Sequence, residues 1–366
     1  MARIILAVTN DLTYDQRMQR ICTSLAGNGY SVLLVGRKLK TSVPVEAKPF
    51  TQKRLSCIFT KGFLFYAEYN LRLFFWLLFQ KTDILCAIDL DTILPVLAVS
   101  SLRNKLRVYD AHELFTEQIE IISRPFIHKV WLRIEKFAVP RFKNGYTVNN
   151  FIAGEFARRY GVRYGVVRNL PLFTGDIADA GAGDKFIIYQ GAVNEGRCFE
   201  TLIPAMQDVS AKLIICGNGN FFNQVKQLIK QYEVADKVEL KGYVLPAELK
   251  AITPTARVAV TLFENTGLNQ YHSLGNRFFD YIMAGVPQVC VGYPEYKAVN
   301  DIYNIALLID DTGSKTIATA LNKLLNDDVL YALLAANCRK ARLTLHWQEE
   351  EKKLVEFYSK LVNKPA

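Results

Sequence analysis

A chain of 366 residues, half of them hydrophobic and 12% aromatic, is long enough for two domains that each bury a core and too apolar to be disordered. Its formal net charge of +10 points to anionic company: nucleic acid, an anionic membrane face or phosphorylated ligands. Dispersed basic residues, with no Arg/Gly-rich tail and no zinc-type cysteine spacing, make nucleic acid the least favoured of the three.

The seven cysteines are scattered and form no CxxC pair, and Cys22, Cys86, Cys216 and Cys290 sit in or beside apolar runs as small core residues. The opening Met1–Leu6 reads as the start of a strand and not as a secretory signal, so a reducing, cytoplasmic setting is expected. No uninterrupted apolar run reaches about eighteen residues, so no membrane span is expected.

In chain order, buried strands are predicted at Arg3–Val8, Ser31–Val35, Ile84–Ile88, Leu106–Tyr109 and Tyr146–Val148. A second series follows at Phe186–Tyr189, Lys212–Cys216, Lys237–Leu240, Val258–Leu262, Gln288–Val291 and Ala306–Ile309. Amphipathic segments such as Gln16–Asn28, Phe221–Tyr232 and Ser314–Asn326 lie between them. This alternation predicts α/β architecture, with two doubly wound, Rossmann-like domains built on parallel sheets. The expected division is 1–168, a Gly/Ala-rich linker at 169–184, 185–345, and a charged amphipathic helix over 346–366. That last helix either caps its own domain or crosses back to the first.

In the first half, Asn10–Arg17 leaves the first strand and enters a helix. Asp15 suits an N-cap, and Arg17 is available to an anionic ligand if the helix start faces a cleft. Asp89 and Asp91 form an acidic rim after the third strand, a pattern equally consistent with turn formation. Tyr109-Asp110-Ala111-His112-Glu113 follows directly on the fourth. His112 is one of only four histidines and stands at a predicted ligand edge, although a lone histidine is more often structural.

Two aromatic-rich stretches follow other rules. Leu64–Phe79 carries only Glu68 and Arg72 as charges, whereas Arg124–Lys143 mixes Phe126, Trp131 and Phe137 with six basic residues. Both can pack as helices on the first sheet. The alternative is a basic, aromatic face resting on an anionic bilayer.

In the second half, Gly-containing loops close successive strands at what should be one sheet edge, where ligands of parallel sheets collect. Tyr189–Arg197 offers Gly191 and Gly196 for close backbone approach and Arg197 for phosphate. Cys216-Gly217-Asn218-Gly219 ends the next strand, and Gly242-Tyr243-Val244 the one after. Ser273-Leu274-Gly275 then leads into a helix stopping at Ala284-Gly285. There Asn276, Arg277 and Asp280 fall three and four residues apart and can share one face of the first turn. A cation, a carboxylate and backbone N–H groups at a helix start suit a phosphorylated ligand bearing hydroxyls.

The order Tyr-Gln-Gly…Gly-Arg, Gly-Asn-Gly, Gly-Tyr-Val and Gly-Asn-Arg-Phe-Phe-Asp-Tyr…Ala-Gly-Val-Pro resembles the donor domain of GT-B glycosyltransferases of the retaining family 4 type. The resemblance implies two domains facing across a cleft, with a nucleotide-diphosphate sugar (UDP- or GDP-linked) as donor substrate and neither metal nor cofactor. It places the donor on Gly191, Arg197, Gly217, Gly219, Tyr243, Val244, Ser273, Leu274, Asn276, Arg277 and Asp280. Arg197 and Arg277 would lie on the diphosphate and Asp280 on the ribose hydroxyls. His112, in a segment like the family's Asp-x-His-Glu, would face the transferred sugar and join the two arginines as a catalytic group. Asp15, Arg17, Asp110, Glu113 and His272 are the acceptor-side or cleft candidates. Two positions depart from the pattern: His272 stands where the family usually has a first acid, and Cys198-Phe199 replace a second basic residue.

The expected activity is transfer of a sugar, with retention, to a glycan or lipid-linked glycan acceptor in surface polysaccharide or glycoconjugate synthesis. It would take place in the cytoplasm or on the cytoplasmic face of the membrane, with no nucleic-acid partner. Two alternatives stand: a sugar-nucleotide epimerase or hydrolase on the same scaffold, or a catalytically silent binding protein of a glycan-assembly complex.

Overall fold

Every apolar run read as a strand forms one, with small shifts at the ends. In the computed structural model, which describes residues 1–13, 15–175 and 185–363, the chain divides into two units. The first is Met1–Asn169 with Glu349–Ala366, and the second is Leu170–Gln348.

The first unit contains β1 (Arg3–Ala7), β2 (Ser31–Lys38), β3 (Thr51–Ser56), β4 (Ile84–Ile88), β5 (Leu106–Ala111), β6 (Gly145–Thr147) and β7 (Gly165–Val166). They form one sheet in the order β3-β2-β1-β4-β5-β6-β7, parallel throughout. Consecutive residues of β1 and β4 are buried regardless of which face they point to, as expected when helices cover both sides of a parallel sheet.

Two strands were not legible as apolar runs. In β3 only Leu55 is buried, because an edge strand shows polar side chains to water. The other, β7, is two residues long.

The second unit contains β8 (Phe186–Gln190), β9 (Lys212–Cys216), β10 (Val238–Gly242), β11 (Val258–Thr261), β12 (Gln288–Val291) and β13 (Ala306–Ile309). Their order is β10-β9-β8-β11-β12-β13, again all parallel. Strand order therefore reverses between β1 and β4 in one unit and between β8 and β11 in the other. Loops leaving the carboxyl ends of such neighbours diverge to opposite faces and open a crevice where ligands settle.

The residues after Asn169 pack as part of the second unit. Leu170 is fully buried in its core, the Trp347 N–H donates to the Pro171 carbonyl at 2.7 Å, and Gln348 bonds both ways with the backbone of Phe173. Positions 176–184 of the expected linker lie outside the described residues.

The last helix, Trp347–Val362, takes its later turns into the first unit. There Tyr358 is fully buried against Tyr146 and Tyr30, and Glu350 accepts from the Arg168 N–H at 2.9 Å. All seven cysteines are free, and six are buried. No helix among the described residues is long and apolar enough to cross a membrane.

Candidate functional site

In the second unit two loops are laced together by backbone. Gly191 donates to the Cys216 carbonyl at 2.9 Å and Val193 to that of Asn218 at 3.1 Å, while Phe221 donates to the Val193 carbonyl at 3.0 Å. The approach leaves no room for side chains. A Cβ on Gly217 would stand 1.8 Å from the Gly191 oxygen, and one on Gly219 would stand 2.3 Å from the Val193 oxygen. Gly191 itself has φ +114°, a conformation that L side chains rarely adopt. These glycines thus shape the loop after β8 through contacts within the protein.

The helix Asn276–Ala284 begins at Gly275, which supplies no side-chain cap, and ends at Gly285 in a left-handed conformation. Phe278, Phe279, Ile282 and Met283 bury one side of it, each side chain contributing roughly 1.5–3 kcal/mol. Tyr296 fixes its entry, its phenol oxygen accepting from the Gly275 N–H at 2.8 Å.

The three polar residues expected on one face separate into different settings. Asn276 is exposed, Asp280 half-buried, and Arg277 only 9% exposed. The Arg277 guanidinium lies over the Tyr189 ring at 4.2 Å and reaches toward Phe263 at 5.4 Å. Its Nη2 is 3.5 Å from where a Gly191 Cβ would be, and its Nη1 is buried with no hydrogen-bond partner among the described residues. Arg197 comes to the same Phe263 ring, at 4.5 Å. Two cations therefore converge on the Gly191 loop, an arrangement that favours an anion.

Asp280 turns to the end of β8, where the Gln190 side-chain amide donates to it at 3.2 Å. Its neighbour Tyr281, fully buried, accepts from the Gln190 backbone N–H at 2.9 Å. Beyond β10, Tyr243 is 62% exposed and Val244 is buried. Ser273 donates to the Gln270 carbonyl at 2.9 Å, Leu274 packs on the core, and His272 ends the short helix Leu268–Tyr271 with its ring against Tyr271. Glu264 donates its N–H to the Gly196 carbonyl at 3.1 Å. Its carboxyl is pushed up by burial and by the nearby charges of Glu200 and Glu195.

In the first unit the carboxyl ends of β4 and β5 form a charged cluster. His112 Nδ1 is 3.2 Å from Asp89, which also accepts from the His112 N–H at 2.9 Å. His112 Nε2 faces Asp110 at 3.4 Å without a well-aligned hydrogen bond. Asp110 is fully buried and pairs with Arg17 at 2.8 Å.

Burial by itself would lower the His112 pKa, but Asp89 and Asp110 outweigh it and hold it at about 10, so the ring is an imidazolium at neutral pH. Asp91, bonded to the Thr9 hydroxyl, is raised to about 7 by burial and by Asp89. Asp89 adopts φ 55°, a strained setting for a residue with a side chain and one that concentrates at functional sites.

One acceptor-side expectation changes. Arg17 is not available to an anionic ligand: it is 5% exposed and committed to Asp110 and to the Val167 carbonyl. Asp15 caps its helix, accepting from the Met18 N–H at 3.0 Å. Glu113 accepts from the Gln118 amide.

Phe263, Gln190 and Thr253 were not singled out from sequence. The available signals were an aromatic directly after β11 and a polar residue closing a buried strand. Among the described residues no group of three or more His, Cys, Asp or Glu side chains could hold a metal ion.

Residues 177–341 match the family described as Glycosyl transferases group 1. No curated protein sequence matches the chain. Among solved structures it is similar to sucrose-phosphate synthase from Thermosynechococcus elongatus, at 17% identity over the whole of both chains with a TM-score of 0.80. It is also similar to Anabaena HepE in complex with UDP-glucose, at 11% identity over 98% of this chain and 100% of that one, TM-score 0.74. A third likeness is to WaaG, a glycosyltransferase involved in lipopolysaccharide biosynthesis, at 13% identity over 99% and 100%, TM-score 0.71. These likenesses establish the fold: two Rossmann-like domains of the GT-B type.

Proposed function

We propose that this chain is a glycosyltransferase that binds a nucleotide-diphosphate sugar, UDP- or GDP-linked, in its second unit and transfers the sugar with retention to a glycan or lipid-linked glycan acceptor. The observation that carries the reading is Arg277. A guanidinium nine-tenths buried, with Nη1 unpartnered, beside a loop opened by glycine and near a second arginine, fits the diphosphate of such a donor. The family match over residues 177–341 and the UDP-glucose held by HepE support it.

As the bond from the anomeric carbon to the diphosphate oxygen breaks, negative charge gathers on the leaving group. Fixed positive groups at that point lower the barrier, usually as the largest single catalytic contribution. Arg197 and Arg277 supply this charge without a metal. Asp280 receives the ribose hydroxyls, and the loop Gly242–Val244, with Tyr243 exposed, lies beside the base. In the first unit His112, an imidazolium whose ring nitrogens face Asp89 and Asp110, offers positive charge to the oxygens of sugar or acceptor.

Calorimetry with UDP and GDP tests the reading. Micromolar to millimolar binding is expected of the wild type, with loss in Arg277→Ala. Failure of every nucleoside diphosphate to bind would end it. Turnover of donor at equal rate with and without acceptor would favour the epimerase or hydrolase alternative.

A lipid-linked acceptor is favoured by one surface of the first unit. The helices Gly62–Leu78 and Pro125–Ala138 meet through the edge-to-face rings of Tyr66 and Trp131, 5.5 Å apart. Phe63, Phe79 and Phe126 stand 75%, 79% and 79% exposed, and Lys129, Arg133 and Lys136 on the second of these helices are exposed as well. Apolar rings with basic neighbours suit the headgroup boundary of an anionic bilayer on its cytoplasmic face.

A further inference from the structure

The carboxylate of Asp280 is gripped from inside the protein by a buried amide. Gln190, 6% exposed, closes β8; its Nε2 donates to Asp280 Oδ2 at 3.2 Å, and its Oε1 accepts from the Thr253 hydroxyl at 2.6 Å. Thr253 is 4% exposed and opens the turn Thr253–Thr255. The Gln190 backbone N–H meanwhile donates to Tyr281, so one residue holds two successive positions of the helix Asn276–Ala284.

A side-chain amide has a donor end and an acceptor end. With the Thr253 hydroxyl donating to Oε1, the NH2 end must face Asp280. The reversed amide would set a carbonyl oxygen against the carboxylate and leave the hydroxyl without its acceptor. A buried polar pair is costly unless satisfied, and this one is satisfied in only one orientation.

We propose that Gln190 and Thr253 are positioning residues that fix the Asp280 carboxylate in the orientation required to accept the two vicinal hydroxyls of the donor's ribose. The proposal rests on the reading of Asp280 as the ribose-binding residue. Two neighbouring hydroxyls are held most tightly by a carboxylate whose plane is set beforehand. An aspartate left to rotate would lose that freedom on binding and weaken the ligand accordingly.

The test is calorimetry of UDP and GDP, and of their 2′,3′-dideoxy forms, with the wild type and with Gln190→Met, Thr253→Val and Thr253→Ser. Gln190→Met and Thr253→Val should weaken the natural nucleotide about tenfold and the dideoxy form less than about twofold, since a charge-assisted hydrogen bond is at stake only when the hydroxyls are present. Thr253→Ser, which keeps the hydroxyl, should bind like the wild type.

Equal losses for both ligands, as a merely structural role would give, overturn the proposal, and so does the absence of loss for the natural nucleotide. So does a Thr253→Ser variant that behaves like Thr253→Val. If the wild type binds neither nucleotide, the donor-site reading falls and takes this proposal with it, an outcome distinct from the other three.

Discussion

Arg197 and Arg277, which lie in different segments of the second unit, both place their guanidinium carbons against the ring of Phe263, at 4.5 and 5.4 Å from its centroid. One arginine comes from the loop after β8 and the other from the first turn of the helix Asn276–Ala284. The ring face holds each cation near its neighbour despite their repulsion, and a bound dianion would relieve that repulsion.

Phe263→Leu should therefore weaken nucleoside-diphosphate binding by about 3- to 10-fold, the loss of cation–π contacts worth roughly 0.5–1 kcal/mol each. Because Phe263 is 5% exposed in the core and stacked on Tyr296, the smaller side chain should also lower the melting temperature by a few degrees. Arg277→Lys should cost at least about tenfold in affinity, because an ammonium cannot reproduce the planar fork. Calorimetry reads both. Unaltered affinity in both variants would remove Phe263 and Arg277 from the diphosphate site.

Gly217→Ala should destabilise the second unit by roughly 1–3 kcal/mol, the usual cost of overpacking. Its Cβ would collide with the Gly191 carbonyl, which is backbone and cannot swing aside. Because the strain falls on the Gly191 loop, nucleotide affinity should drop together with the thermal midpoint. A variant that melts like the wild type and binds normally would contradict the geometry of the two loops.

His112 gives a pH prediction with a definite sign. Its folded-state pKa, about 10, lies above an unfolded value near 6.5. The folded state therefore holds the proton more tightly. The stability this gives is complete below about pH 6.5 and is lost as pH rises toward 10. The difference in unfolding free energy between wild type and His112→Gln should shrink across that interval, and Asp89→Asn should move the ring's titration toward neutrality. NMR titration of the imidazole decides the matter, and a wild-type midpoint near 6.5 would sink the assignment.

Membrane association should depend on the exposed rings of the first unit. Replacing Phe63, Phe79 and Phe126 with serine should abolish co-sedimentation with vesicles containing anionic lipid and leave nucleotide binding intact, since all three belong to the first unit and the proposed donor residues to the second. Wild-type protein should not sediment with neutral vesicles at physiological salt, where only the weaker apolar contribution remains. Equal recovery of wild type and variant with anionic vesicles would count against the lipid-linked acceptor.

The sheets were legible because a strand covered on both faces must be an unbroken apolar run, and that is a local property. Ile84–Ile88 and Gln288–Val291 declare themselves in four or five letters. The edge strand Thr51–Ser56 did not, since only one of its side chains is buried. The glycine loops and the helix of Arg277 and Asp280 could likewise be found, because their residues are adjacent in the chain.

What sequence could not supply was direction. Spacing put Asn276, Arg277 and Asp280 on one helix face, but packing turned Arg277 inward onto Tyr189 and set Asp280 against Gln190. Arg17 looked available and is buried on Asp110. These outcomes depend on partners tens of residues away, brought together only when the sheet closes. The chain alone therefore determined which elements form and which chemistry they carry. The tertiary structure decided which charges are matched, that Arg277 Nη1 has no hydrogen-bond partner among the described residues, and which buried amide meets the Asp280 carboxylate.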